Sequence, residues 1–220
     1  MIRINGLDTP WSSDDLTAAA AAGPHAIVVP KISTVEQLEM IGQRLLDMKA
    51  DHKTRIWAMI ETPAAIFNIL ALASEAHDSE TRLAGFIMGT NDLAKETRAR
   101  QVPGRAPMVS WLATCVLAAR AHGIEILDGL GSTEMIHIFI SHRPDNARDG
   151  ATGYAIPGYQ ATVLDEAGRP CAPGQVGRLA VKGPTGCRYL ADERQRLALV
   201  HGEADAVDRL HLADELLQDP

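Results

Sequence analysis

Along residues 1 to about 129, short apolar runs alternate with amphipathic stretches. The runs at 2–5, 26–30, 56–60, 83–88 and 124–127 each carry Ile or Val and give way to polar or turn-forming residues. Continuous apolar runs of this length are how strands buried on both faces read. Between them the period changes to that of a helix. Leu38, Ile41, Leu45 and Met48 recur at three- and four-residue steps after Thr34, with charges at the positions between. Ile66, Ile69, Leu70 and Ala73 do the same after Pro63, a residue suited to a first helical turn. Leu112, Val116 and Ala119 mark a further helix that Gly123 is placed to end. Ser12 and Asp15 have the spacing of a helix-opening capping box, with Asp in place of the usual Glu. Strands alternating with helices predict an α/β fold on a parallel sheet with right-handed crossovers.

The grammar changes near Gly129. Eight of the 18 glycines fall between Gly150 and Gly186, and helical periodicity disappears. Residues 159–164 and 176–181 read as two strands around a turn-rich segment, most simply an antiparallel pair. From Ala191 the chain becomes charged again; Val200, Val207, Leu210, Leu212, Leu216 and Leu217 predict a terminal helix, which Gly202 weakens. The expected organisation is a first part over 1–129, a β-rich part over 130–190 and a helical tail over 191–220.

Composition narrows the function classes. Apolar residues make up 46% and aromatic residues 4% of the 220, so the core is aliphatic and base-stacking platforms are not expected. The net charge of −7 argues against general nucleic-acid binding, which needs a basic face. No apolar run is long enough to span a bilayer. The start, MIRINGLDTPW, has no secretory pattern, and three cysteines without metal-like spacing suggest reduced thiols. A cytoplasmic protein without membrane association is expected.

The candidate chemistry lies at strand exits. The 56–60 run leads into Glu61, and the 83–88 run leads into Gly89-Thr90-Asn91-Asp92. The first run carries Arg3, and Lys31 follows Pro30 at another exit. Ligands of parallel α/β sheets sit beyond the carboxyl ends of the strands, so Glu61 and Asp92 are expected on one face. Two carboxylates there can hold Mg²⁺, a hard cation that leaves other positions to water or substrate. Alternatively both acids cap the helices that follow them. Lys31 is a candidate for phosphate or carboxylate binding or a solvated loop lysine, and Arg3 a substrate-facing or a surface cation. Cys115, within the last helix of this part, reads as a buried inert thiol.

The segments RINGLDTPW (3–11), IVVPKI (27–32), IWAMIETPAA (56–65), IMGTNDLAKE (87–96) and AARAHGIEILDG (118–129) resemble the citrate lyase β-subunit-like group of the HpcH/HpaI aldolase superfamily. The resemblance implies a TIM-type barrel and Mg²⁺-dependent carbon–carbon bond cleavage or formation through an enolate, on acyl-CoA thioesters such as citryl-CoA or malyl-CoA, or on a short oxoacid. Motif matching gives Glu61 and Asp92 the metal-ligand places and Arg3 that of the arginine facing substrate oxygens. The family's acidic segment ahead of the arginine strand and its closing strands are not recognisable here. The expected assembly is therefore a partial (β/α) barrel, whose activity is open. Its unpaired strand edges predict a homo-oligomer or edge-strand self-association.

A second resemblance covers ILDGLGSTEMIHIFISHRP (126–144) and the segment 150–190. These are similar to the benzoate-CoA ligase-type adenylate-forming acyl-CoA synthetases. That resemblance gives Thr133 an AMP-phosphate contact and Glu134 a Mg²⁺ contact. The family's Ser/Thr/Gly-rich phosphate loop with its lysine is not found, so Thr133 and Glu134 read as relics of a nucleotide site. The two resemblances meet at Ile126-Leu127-Asp128-Gly129, which fits both and points to a join. The sequence is thus compatible with three functions: a Mg²⁺-dependent carbon–carbon lyase, a remnant of an aromatic acyl-CoA ligase, and a non-catalytic fragment that self-associates.

Overall fold

The computed structural model describes residues 1–102, 105–124, 129–132, 135, 137–143, 145–146, 148, 151–186 and 205–207. The chain divides into two compact units, Met1–Ile126 and Leu127–Pro220.

The first unit carries strands β1 (Ile2–Arg3), β2 (Ala26–Val29), β3 (Arg55–Ile60) and β4 (Leu83–Met88). They form one sheet in the order β1-β2-β3-β4, and every pairing is parallel. Helices α1 (Ser12–Ala21) and α2 (Val35–Asp47) fill the first two crossovers. Two short helices, α3 (Pro63–Phe67) and α4 (Ile69–Ser74), fill the third, followed by α5 (Thr90–Thr97) and α6 (Ala106–Ala121). One aliphatic core, including Leu16, Ile27, Val29, Leu38, Ile56 and Ile60, joins the helices to the sheet. The α/β parallel architecture is as expected, and the described residues show no closed barrel. The expected fifth strand falls on 124–127, of which the described Ile124 is buried and outside any strand. The remaining three positions lie outside the described residues.

Several local expectations need correction. Asp15 does not build a capping box with Ser12. Its Oδ2 accepts the backbone N–H and the side-chain amide of Asn5 at 3.0 and 2.7 Å, tying the exit of β1 to α1. The helix expected after Pro63 breaks at Asn68, whose Nδ2 donates to the Ser33 carbonyl at 2.8 Å. Leu70 is consequently 59% exposed, while Ile69, Leu72 and Ala73 are buried. In α6 the buried residues are Met108, Cys115, Ala118 and Ala119, and Val116 faces outward. Small alanines let that helix approach the core closely, so its bulkiest aliphatics are not its core face. Gly123 ends α6 as expected, at φ 71, with the Ile124 N–H returning to the Ala119 carbonyl at 2.8 Å.

Gly42 sets how α2 packs. A Cβ there would lie 2.3 Å from the Glu80 carbonyl oxygen and 3.0 Å from Thr81 Cα. Gly→Ala inside a helix ordinarily stabilises by about 1 kcal/mol, but backbone on the opposing side cannot rotate away. Gly42→Ala is expected to reverse that sign and destabilise by roughly 1–3 kcal/mol, read as a lower midpoint in urea unfolding.

The second unit is antiparallel. Strands β5 (Gly129–Ser132), β6 (His137–Ser141) and β7 (Tyr154–Ala155) form one sheet. In the other, β9 (Arg178–Lys182) lies between β8 (Gln160–Leu164) and β10 (Asp205–Val207). The β8–β9 pair is the expected antiparallel one. Asp165 gathers its turn by accepting the N–H groups of Ala167 and Arg169, both at 2.9 Å. Met135, Phe139, Leu179 and Val181 form a small core shared by the two sheets. Within the expected helical tail, Asp205–Val207 instead pairs with β9 as an antiparallel strand. The other tail positions lie outside the described residues.

Candidate functional site

Parallel registry carries the strand ends to one side of the sheet. Val29 pairs with Ala58, and Ile60 pairs with Met88, so Lys31, Glu61 and Gly89 leave neighbouring strands at similar heights. The Gly89 N–H donates to the Ile60 carbonyl at 3.0 Å, extending this registry one step past the strands.

Glu61 is the centre of the site. It is 4% exposed, an unusual setting for a carboxylate. Its Oε1 accepts the backbone N–H of Lys31 at 2.9 Å. It does not cap α3: that work falls to Thr62, whose hydroxyl accepts the Ala65 N–H at 3.1 Å, with Pro63 opening the helix. The capping alternative for Glu61 is therefore removed.

The electrostatics identify what surrounds it. Burial raises the Glu61 pKa above its ordinary value; the Lys31 N–H opposes that shift, the Asp92 charge adds to it, and the Lys31 and Arg3 charges oppose it. The structure thus brings Arg3, Lys31 and Asp92 within electrostatic reach of Glu61, though they come from three other strand exits. Asp92 is exposed in the first turn of α5, where the helix N-terminus favours an anion. Arg3 and Lys31 are exposed as well.

Gly89 makes the close approach feasible. A Cβ at this position would lie 2.5 Å from Glu61 Cβ and 2.7 Å from Glu61 Oε2. Hydrogen there lets the β4 exit pass directly against the buried carboxylate, and α5 follows with Asp92.

Two hard carboxylates of separate origin, one buried and one exposed, are a donor set suited to Mg²⁺ with water or substrate in its remaining positions. Among the described residues no group of three or more His, Cys, Asp or Glu gathers as a metal cluster. Thr133 and Glu134 lie outside the described residues. Cys115 is buried, and burial pushes its thiol up to about 11, which suits an inert core thiol. His142 is buried in the second unit, with Nε2 2.6 Å from the Ala151 carbonyl oxygen.

Sequence reading did not find Ser33 or Asn68. Ser33 Oγ lies 2.6 Å from Thr62 Oγ1, and Asn68 donates to the Ser33 carbonyl, so the two loops beside Glu61 are joined. Nor did it show that Lys31 stands at φ 55 and serves Glu61 through its backbone. Adjacent polar residues in successive strand-exit loops were the available signal, since such loops meet in a parallel sheet.

Two sets of known proteins resemble the chain over different spans. The chain is 43% identical over 130 residues to the (3S)-malyl-CoA thioesterase of Cereibacter sphaeroides, covering 59% of this chain and 42% of that protein. It is 28% identical over 133 residues to citrate lyase subunit beta of Escherichia coli, covering 58% of this chain and 43% of that subunit. A separate likeness, 45% over 65 residues, links it to anthranilate–CoA ligase of Pseudomonas aeruginosa, covering 29% of this chain and 13% of the ligase. The chain therefore spans less than half the length of each of these relatives. A profile of the HpcH/HpaI aldolase/citrate lyase family matches residues 1–137. With that match over most of its length, the chain belongs to the HpcH/HpaI aldolase/citrate lyase family.

Proposed function

We propose that the first unit is built for Mg²⁺-dependent carbon–carbon bond cleavage or formation on an acyl-CoA, of the malyl-CoA or citryl-CoA type, or on a short oxoacid. The carrying observation is the convergence on Glu61: a buried carboxylate that feels Asp92, Lys31 and Arg3 from separate strand exits.

Glu61 and Asp92 would hold the ion, and Lys31 fixes Glu61 Oε1 through its N–H. When bound, the ion supplies Lewis-acid stabilisation to a substrate oxygen. Breaking the bond between the α-carbon and a hydroxyl-bearing β-carbon leaves its electron pair on the α-carbon as an enolate, with negative charge gathering on the carbonyl oxygen, while the β-hydroxyl gives its proton to solvent and becomes the carbonyl of the second product. The Arg3 guanidinium, exposed on β1 and within reach of the carboxylate site, orients the substrate oxygens and opposes that charge. The exposed Lys31 ammonium binds an anionic part of the substrate, carboxylate or phosphate, while its peptide serves Glu61.

The organisation belongs to the same reading: 1–129 as the lyase-like part, 130–190 as a ligase-derived β-rich part bearing Thr133 and Glu134, and 191–220 as a tail. The likeness to anthranilate–CoA ligase supports the second element. Self-association is a further element. Among the described residues β4 pairs on one side alone, with β3, and an open strand edge invites another strand. No helix among the described residues is long and apolar enough to cross a membrane.

The test is calorimetric titration of the purified chain with Mg²⁺, together with cleavage assays on malyl-CoA and citryl-CoA. Saturable binding and turnover that requires the ion are expected. A chain that binds no divalent ion and cleaves neither thioester overturns the proposal.

A further inference from the structure

Lys31 adopts the left-handed backbone conformation, φ 55, without being glycine. Side chains disfavour that region, so something must hold the residue there. Its backbone is gripped on both sides of the Cα. The N–H donates to Glu61 Oε1 at 2.9 Å, and the carbonyl accepts from Ser33 Oγ at 3.2 Å. Ser33 Oγ also lies 2.6 Å from Thr62 Oγ1, which accepts the Ala65 N–H at 3.1 Å.

Each hydroxyl has a single proton to donate. One direction satisfies every partner: Ala65 N–H to Thr62, Thr62 O–H to Ser33, and Ser33 O–H to the Lys31 carbonyl. The Ser33 backbone is fixed too. Its N–H donates to Gln37 Oε1 at 2.7 Å, and its carbonyl accepts from Asn68 Nδ2 at 2.8 Å. Ser33 therefore ties the loop after β2 to the start of α3 and to the break between α3 and α4.

We propose that Ser33 is a positioning residue for Glu61: its hydroxyl holds the left-handed backbone of Lys31, whose N–H fixes Glu61 Oε1 and so aims the carboxylate that would hold the divalent ion. This deepens the metal reading and rests on it for the consequence at the ion. The positioning itself is readable without metal.

The experiment compares the full chain with Ser33→Ala, Ser33→Thr and the double variant Ser33→Ala/Lys31→Gly. Hydrogen exchange of the residue-31 amide is followed in the metal-free proteins, and Mn²⁺ affinity is measured by calorimetry. In Ser33→Ala the amide is expected to exchange about tenfold faster, and Mn²⁺ affinity to fall about tenfold, as when a supporting hydrogen bond is removed from a metal ligand. Ser33→Thr keeps the hydroxyl and retains both properties. In the double variant the amide protection returns towards the original value, because glycine adopts positive φ without steric cost, and its Mn²⁺ affinity is compared with Lys31→Gly alone, since that substitution also removes a charge near Glu61.

Unchanged exchange and unchanged Mn²⁺ affinity in Ser33→Ala overturn the proposal. So does a loss of amide protection that Lys31→Gly does not recover, which would make Ser33 a general structural residue. If the unsubstituted chain binds no Mn²⁺, the exchange data still decide: protection that depends on Ser33 upholds the positioning and rejects the metal reading, whereas protection independent of Ser33 rejects the positioning. Should Ser33→Ala fail to fold, Ser33→Cys keeps the volume with a much weaker donor and gives the same comparison.

Discussion

Glu61→Gln is expected to lower carbon–carbon cleavage of malyl-CoA or citryl-CoA by about 10²–10³-fold, the scale of removing one preorganised stabiliser of developing charge, and to abolish measurable Mg²⁺ binding. The substitution conserves shape, and a neutral amide can still present its oxygen to the Lys31 N–H. Loss of function with the fold retained would therefore report the charge of Glu61. Full turnover with normal ion affinity in this variant would remove Glu61 from the mechanism.

The same substitution carries a pH signature whose sign is fixed by burial. The native Glu61 pKa lies above its ordinary value because burial disfavours the ionised form. Between the unfolded and the raised native pKa, the folded chain binds more protons than the unfolded chain, so stability falls as pH rises. Glu61→Gln lacks this dependence. The stability of the original chain relative to the variant should decline as pH rises through that window and level off above it. Bound ion would act in the opposite direction, because it requires the carboxylate. Without Mg²⁺, denaturant midpoints across pH check the sign; with Mg²⁺, the decline should shrink.

How much of this was readable from sequence differs from element to element. The strands at 26–29, 55–60 and 83–88 were legible as short apolar runs, although only 26–29 is buried at every position, whereas 55–60 alternates buried with half-buried residues and 83–88 buries Leu83 and Gly85 alone. Once they were placed, parallel registry carried Glu61 and Asp92 to one face although distant along the chain. Helix faces were less legible. In α6 nearly every position is apolar, so periodicity alone could not choose Cys115, Ala118 and Ala119 over Val116 and Leu117, the last of these 71% exposed. The break at Asn68 has no Gly or Pro to announce it; it is made by a side-chain bond to Ser33 on another loop. A left-handed lysine is still further from sequence, since its conformation depends on partners of both its N–H and its carbonyl. Motif residues were thus visible, while the non-local hydrogen bonds that aim them were not.

Gly89→Ala should be the most damaging single methyl in the site. An added Cβ that meets only the far end of a flexible side chain is relieved by rotation, but here the neighbours are Glu61 Cβ at 2.5 Å and Oε2 at 2.7 Å. Glu61 cannot swing aside freely, because its Oε1 is held by the Lys31 N–H and its backbone is held by the Ile60–Gly89 bond. Either the carboxylate leaves its place or the β4 exit moves, and α5, with Asp92, moves with it. Both routes separate the two acids. Overpacking of this kind costs roughly 1–3 kcal/mol of stability, and misplacing a reacting group by about 1 Å costs on the order of 10²-fold in rate. The decisive comparison is therefore between the two losses. If the site depends on this approach, Gly89→Ala lowers Mg²⁺ affinity and turnover even where denaturation shows the protein fully folded. If the variant loses stability alone, with ion binding and turnover intact in the folded fraction, then the contact between β4 and Glu61 is packing, and the two carboxylates do not share an ion.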